Sequence, residues 1–201
     1  MKILELFSGT KSFSKVARER GHECFTVDFI KKFNPNLCID ILDLEIKDIP
    51  FKPDIIWASP PCTFFSVSSI GKHWNKDNTP KTKEAELGIK IIKKTILLIK
   101  DLNPKLIIIE NPRGKLRKLN LIPFEMITVC YCKYGDKRMK PTDLWNNFNF
   151  KGKMCKNGNP CHISAPRGSK TGTQGLKGSI ERSKVPKKLC LEIIKCCERV
   201  T

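Results

Sequence analysis

The stretch Asp54-Ile55-Ile56-Trp57-Ala58-Ser59-Pro60-Pro61-Cys62 constrains this chain more than any other. Its short apolar run reads as a strand buried on both faces, the pattern of a parallel sheet covered by helices. The run stops at Ser59-Pro60-Pro61, where fixed φ and missing amide hydrogens forbid more sheet. Cys62 therefore sits on a stiff turn at the carboxyl end of a strand, the edge where open α/β sheets place ligands. A cysteine in such a turn can also be a small apolar filler, and the rest of the chain has to decide between the two.

The first residues supply a nucleotide-binding order. Lys2 to Phe7 reads as a strand and Ser8-Gly9-Thr10 as a turn. Lys11 to Arg20 reads as a helix with Phe13, Val16 and Ala17 inward, ended by Gly21, and Glu23 to Val27 as a second strand closing on Asp28. Strand, glycine turn, helix, strand, acid is the order of a βαβ unit in which the acid accepts hydrogen bonds from a ribose. One glycine instead of G-x-G-x-x-G suits an adenosyl group without phosphates better than a pyrophosphate. A tight left-handed turn at Gly9 with no ligand is the other reading. A third strand, Leu37 to Leu42, carries Asp40 and Ile41 at its end, where they serve either as an adenine contact or as turn residues.

A polar stretch, Ser66 to Lys81, follows Cys62. Lys72, His73, Trp74 and Lys76 mix cations with an aromatic ring there, which suits an unstacked base and its backbone, or a solvated loop. Lys83 to Lys100 is a helix with Leu87, Ile91, Ile92, Ile96 and Ile99 on one face. Lys105 to Ile109 is a buried strand ending on Glu110-Asn111-Pro112. Parallel-sheet logic opens Glu110 and Cys62 onto the same edge, where a carboxyl can hand a hydrogen bond to a base nitrogen. Lys115, Arg117 and Lys118 add a basic patch. Phe124 to Cys132 and Asp143 to Phe150 read as an antiparallel hairpin closing the sheet. Its connection projects Arg138 and Lys140 together toward phosphate or substrate.

Cys155-x5-Cys161-His162, with Cys130 and Cys132 upstream, offers thiols and an imidazole in the number that closes a tetrahedral zinc site, read as Cys132, Cys155, Cys161 and His162, although Cys155-x5-Cys161 is too wide for a tight knuckle. Free thiols are the alternative. Ser164 to Ser183 is rich in Gly, Ser, Thr, Lys and Arg and cannot build a core; it reads as a loop ordered by nucleic acid or simply solvated. Pro186 opens a last helix with Leu189, Ile193 and Cys196 or Cys197 inward. The division expected is 1–150 as the catalytic unit, 151–185 as a cysteine- and glycine-rich basic region, and 186–201 as a helix packing back.

Thirty-eight lysines and arginines against 20 acids give a formal charge of +18. That balance favours a polyanionic partner, though a lysine-rich composition also serves solubility. No run is long and apolar enough to span a bilayer. A strand begins at residue 2, so no signal peptide is expected. A reducing cytoplasm follows, the host's for a viral chain, with 10 cysteines kept as thiols or ligands.

In chain order these pieces resemble the C5-cytosine-specific DNA methyltransferase family. Phe7-Ser8-Gly9 resembles its first S-adenosylmethionine loop, Asp28 its ribose-binding acid and Asp40-Ile41 its adenine-contacting pair. Ser59-Pro60-Pro61-Cys62 with Phe65-Ser66 matches the Pro-Cys nucleophile motif. Glu110-Asn111-Pro112 matches Glu-Asn-Val except at the third residue. Tyr134-Gly135 with Arg138 and Lys140 resembles the basic Gln-x-Arg-x-Arg loop. The resemblance covers roughly the first 145 residues.

The resemblance implies an α/β, class I (Rossmann-like) methyltransferase fold with a mostly parallel sheet and a C-terminal antiparallel hairpin. It implies catalytic roles for Cys62, Glu110, Arg138 and Lys140. It implies S-adenosylmethionine held by Phe7, Ser8, Gly9, Thr10, Asp28, Asp40, Ile41, Ser59 and Pro60. The partner is nucleic acid, DNA first, and the chain is expected to be a monomer. An RNA cytosine methyltransferase and a non-catalytic nucleic-acid-binding module are the rivals.

The departures are specific. Lys11 stands where the family has a second glycine, and Lys140 and Thr142 stand where arginines are usual. The large target-recognition domain and the Gly-Asn-Ala/Ser-Val motif are missing. The chain resembles a minimal member of the kind carried by bacteriophages.

Overall fold

The computed structural model describes residues 1–163 and 178–200. Arg167-Gly168-Ser169 and Gly172-Thr173-Gln174-Gly175, read above as part of a loop, lie outside them.

Strands β1 (Lys2–Leu6), β2 (Glu23–Asp28), β3 (Leu37–Cys38), β4 (Ile55–Ala58), β5 (Leu106–Pro112), β6 (Glu125–Cys130) and β7 (Pro141–Asn146) form one sheet in the order β3-β2-β1-β4-β5-β7-β6. The first five run parallel. β7 inserts between β5 and β6 and runs antiparallel to both. The run around Ile55–Ala58 is buried at every residue and lies between β1 and β5, as its uniform apolarity required.

Alternation along the strands feeds two cores. Leu4, Leu6, Ile56, Ala58, Ile107 and Ile109 face one side, under helix α3 (Lys83–Leu102) with Ile92, Ile99 and Leu102. Ile3, Ile55, Trp57, Leu106 and Ile108 face the other. They meet Phe13, Val16 and Ala17 of α1 (Ser12–Glu19) and Leu189, Ile193 and Cys197 of α5 (Lys187–Val200). Phe13 stacks on Trp57 with ring centroids 4.4 Å apart. An ion pair between Arg20 and Glu198 at 2.7 Å ties α1 to α5. No helix among the described residues is long and apolar enough to cross a membrane.

Four expectations need correction. The third strand spans only Leu37–Cys38, so Asp40 and Ile41 fall in the turn after it. The buried stripe of α3 runs through Ala85, Gly88, Ile92, Thr95 and Ile99, leaving Leu87 39% exposed. Three positions of that stripe, Ala85, Gly88 and Thr95, are not large hydrophobes, so a reading by large apolar residues rotated the face. Its start is capped by the Thr82 hydroxyl, which accepts from the Ala85 amide.

Third, the stretch after Cys62 is not a polar loop. It folds through α2 (Ile70–His73) and buries both His73 and Trp74. Trp74 stacks on Phe65 and donates its indole N–H to the Phe64 carbonyl at 2.7 Å. His73 Nδ1 is hydrogen-bonded to the Thr82 hydroxyl at 2.8 Å. Neither ring is free to stack on a base.

Fourth, β5 continues through Glu110, Asn111 and Pro112, because β7 supplies partners beyond the end of β4. Pro112 takes the last strand position, where a missing N–H costs least. Lys115 of the proposed basic patch is buried, with Nζ donating to Asn78 Oδ1 at 2.7 Å. Arg117 pairs with buried Asp143 at 3.3 Å.

Candidate active site

The sheet register places the site. Val27, Leu6, Ala58 and Ile109 pair across β2, β1, β4 and β5 as one row. The next residue on each strand is Asp28, Phe7, Ser59 and Glu110. Four segments singled out from the sequence thus end on one line at the carboxyl edge of the sheet, where ligands bind in open α/β folds.

The loop after β1 is unusual in its backbone. Phe7, Gly9 and Lys11 all have positive φ, at 57°, 44° and 58°. Lys11 holds the left-handed geometry a glycine takes most cheaply, so the lost glycine changed the residue and not the turn. The Gly9 amide donates to Asp28 Oδ2 and the Ile30 amide to Oδ1, both at 2.8 Å. Asp28 thereby ties the first loop to the second. The Ser8 hydroxyl is buried and has no hydrogen-bond partner, and Thr10 Oγ1 is 3.0 Å from Ser12 Oγ. Exposed Asp40 accepts from the Leu42 amide at 2.9 Å, whereas Ile41 is buried in the core.

Cys62 opens a single 3-10 turn, Cys62–Phe64, directly after the two prolines. The Trp57 indole donates to Ser59 Oγ at 2.8 Å, and Asn111 Nδ2 donates to the Pro60 carbonyl at 2.9 Å. The turn is therefore fastened from both β4 and β5. Past Cys62 the chain is clamped again: the Lys115 amide donates to the Phe65 carbonyl at 2.7 Å. Gly114 permits this approach, since a Cβ there would lie 2.2 Å from the Phe65 oxygen.

Burial pushes the Cys62 thiol up. The positive charge of Lys140 opposes the rise and the carboxyl of Glu110 adds to it, so these side chains share one electrostatic neighbourhood. Glu110 is 5% exposed, and its Oε1 accepts from the Tyr131 hydroxyl at 3.0 Å. Burial, then the nearby Glu110 carboxyl, holds Tyr131 far above its usual range, so it stays a donor. Lys140 is buried at φ 27°, with Nζ 4.6 Å from the Tyr131 ring centroid and donating to the Arg182 carbonyl at 2.9 Å. Burial lowers its pKa, while Glu110 and Cys62 favour its charged form.

Arg138 reaches the edge of this cluster, its guanidinium carbon 5.9 Å from the Tyr131 ring centroid, but its hydrogen bonds go elsewhere. It forks onto Asp136 and donates to the carbonyls of Glu181, Arg182 and Lys184. It joins the basic loop to α4 (Ser179–Ser183) instead of projecting toward a substrate.

Comparison with known proteins decides the family. Residues 1–127 match the family model of the C-5 cytosine-specific DNA methylases. The chain is 31% identical to a frog virus 3 (isolate Goorha) protein named "Probable DNA (cytosine-5)-methyltransferase", over 98% of this chain and all of that one. The chain belongs to the C-5 cytosine-specific DNA methylase family. In fold, this methylase is similar to a protein described as a DNA modification methyltransferase encoded within a prophage of E. coli. The TM-score is 0.52 at 18% identity, covering 73% of this chain and 46% of that chain. The methylase thus spans less than half the length of that structural relative.

Three supporting residues of the methylase escaped the sequence reading. Asn111 and Tyr131 carried a signal, one inside the Glu-Asn-Pro turn and the other at the end of a strand. Glu5 did so too, as the one acid in the first apolar strand. Its carboxylate replaces the missing side-chain cap of α1 by accepting from the amides of Phe13 and Ser14 at 3.4 and 3.0 Å.

Burial drives Glu5 from its ordinary 4.5 up to about 7. Between those values the folded protein binds more protons than the unfolded chain. Its contribution to stability is therefore complete below pH 4.5, fades as pH rises and is gone above about 7. The full span is worth about 3 kcal/mol. Glu5→Gln is expected to flatten the fall of Tm across that pH window relative to wild type. An unchanged slope in thermal denaturation would contradict this assignment.

Proposed function

We propose that this methylase transfers a methyl group from S-adenosylmethionine to C5 of cytosine in DNA through a covalent Cys62 adduct. The observation that carries the reading is the single row Asp28, Phe7, Ser59 and Glu110, with Cys62 and Lys140 beside Glu110. The first half of that row suits the cofactor. The Ser8 hydroxyl is buried without a partner. Each Asp28 oxygen accepts one backbone hydrogen bond and retains a lone pair for a ribose hydroxyl. Phe7, Ser8, Gly9, Thr10 and Asp28 would hold the cofactor, with Asp40 and Ile41 on one side and Ser59 and Pro60 on the other. Bound there, S-adenosylmethionine supplies an electrophilic methyl group.

The chain's own residues do the rest. A cytosine must leave its stack, because its C6 face is otherwise covered. Lys140 favours the Cys62 thiolate, which opposes the cost of burial. Its sulfur bonds to C6, and the ring electrons move toward C5 and N3. Glu110, with Oε1 held by Tyr131, acts as the acid: a proton on its other oxygen is donated to N3 as the ring electrons arrive, which stabilises the charge. C5 is then nucleophilic. After alkylation, a solvent water takes the C5 proton, the C5–H electrons re-form the C5–C6 double bond as the C6–sulfur bond breaks, the thiolate leaves and N3 returns its proton to Glu110. Lys140 replaces the expected arginine pair at the base or a flanking phosphate, while Arg138 braces the loop that carries it.

Residues 1–150 form the catalytic unit in this reading. The region 151–185 stands in for a target-recognition domain, and the C-terminal helix closes the fold. The partner is DNA, drawn by the +18 charge, with the chain acting as a monomer in a reducing cytoplasm, the host's for a viral chain. DNA containing 5-fluorocytosine tests the chemistry, because fluorine at C5 cannot leave as a proton. With cofactor present, wild type is expected to form a denaturation-resistant adduct mapping to Cys62. An adduct on another residue, or none, would overturn the mechanism.

A further inference from the structure

We propose that Cys132, Cys155, Cys161 and His162 form a structural zinc site. Cys132 lies in the 3-10 turn Tyr131–Tyr134 after β6, and the other three come from the segment that follows β7. Their ligand atoms lie within 4.8 Å of one another. Cys155 Sγ is 3.4 Å from Cys161 Sγ and 3.8 Å from His162 Nδ1, and Cys161 Sγ is 3.7 Å from that nitrogen. A tetrahedral zinc ion with ordinary zinc–sulfur and zinc–nitrogen bonds sets ligand–ligand edges of about 3.5–3.8 Å. Cys155, Cys161 and His162 stand near that spacing, and Cys132 Sγ lies within 4.8 Å of each of their ligand atoms.

The wide Cys155-x5-Cys161 interval is closed by a turn. The Asn159 amide donates to the Lys156 carbonyl at 3.4 Å, and Gly158 has φ +89°. Cys161 therefore returns to Cys155. Cys130 does not join the set, since its thiol points to the Cys155 carbonyl and Met154 sulfur. Three thiolates and one imidazole select zinc among the common divalent ions and leave no open position. The site is closed and structural.

Its place in the fold gives the ion a purpose. The Cys130 amide donates to the Lys153 carbonyl at 2.9 Å, and the Ile163 amide to the Lys137 carbonyl at 2.8 Å. Zinc would lock this segment to the loop that begins with Tyr131, the partner of Glu110, and ends with Lys140. A single ion thus fastens the wall of the active site to the first part of the region, 151–185, that stands in for a target-recognition domain.

Elemental analysis of the purified full chain tests this. One zinc per chain is expected, falling to none in Cys155→Ser/Cys161→Ser and remaining at one in Cys38→Ser. Cobalt substituted for zinc is expected to give thiolate charge-transfer and tetrahedral d–d bands. If the double variant does not fold, mercurial titration of intact wild type replaces it, with one zinc released as thiols are consumed. No zinc in protein prepared with zinc, zinc that survives loss of both cysteines, or a Cys155–Cys161 disulfide in metal-free protein would each overturn the site.

Discussion

Cys62→Ala is expected to lower methyl transfer by roughly 10⁴-fold or more, the scale on which removal of an attacking nucleophile acts, and to leave the fold and cofactor binding intact. The separation follows from geometry. The turn is held by the two prolines, by Asn111 on the Pro60 carbonyl and by Lys115 on the Phe65 carbonyl, none of which uses the thiol. Most of the cofactor residues lie on the β1 and β2 side of the row, and Ser59 and Pro60 precede Cys62 in a turn whose fastenings do not involve the thiol. Single-turnover kinetics beside calorimetric binding of S-adenosylhomocysteine checks both halves. Undiminished turnover would remove the covalent step. Lost cofactor binding with lost activity would make Cys62 a structural residue.

Glu110→Gln is the second large effect. The amide keeps the size of the carboxyl and can still accept from Tyr131, so the Tyr131–Glu110 hydrogen bond at 3.0 Å has a replacement. What is lost is the carboxyl's capacity to share a proton with N3 as the ring gains charge. Turnover is expected to fall by at least roughly 10²-fold, the usual worth of a positioned acid or base, with little change in DNA binding. Rate measurements at saturating DNA separate the terms. A negligible change in rate would remove Glu110 from the chemistry.

Much of this arrangement was legible in the residues, for reasons that differ from element to element. β1 and β4 announced themselves because buried strands need mostly apolar runs, and β2 by its place between the Gly21 helix stop and Asp28. The prolines after β4 fixed where Cys62 would stand. What stayed hidden depends on contacts between distant segments. Trp74 looked like a polar-loop aromatic, yet it fills the core against Phe65. Nothing local marks that pairing. Arg138 and Lys140 are two residues apart and looked equivalent, but Asp136 and the carbonyls of α4 claim the arginine. Lys140 also donates to the Arg182 carbonyl, but it has no acid partner of its own among the described residues, and its charge acts on Cys62 and Glu110. The continuation of β5 through Glu110 depends on β7, where its partner Leu144 lies far downstream in the chain. The cysteine cluster was legible as a set of ligand types, and only the turn at Gly158 shows how so wide a spacing closes.

The central claim is methylation of cytosine at C5 in DNA, and nucleoside mass spectrometry tests it most directly. Purified protein is incubated with deuteromethyl S-adenosylmethionine and with separate pools of unmethylated DNA and RNA. The account predicts labelled 5-methyldeoxycytidine from the DNA pool. Label confined to 5-methylcytidine in RNA would keep the chemistry and contradict the substrate, and no label in either pool, with cofactor bound, would contradict the enzyme.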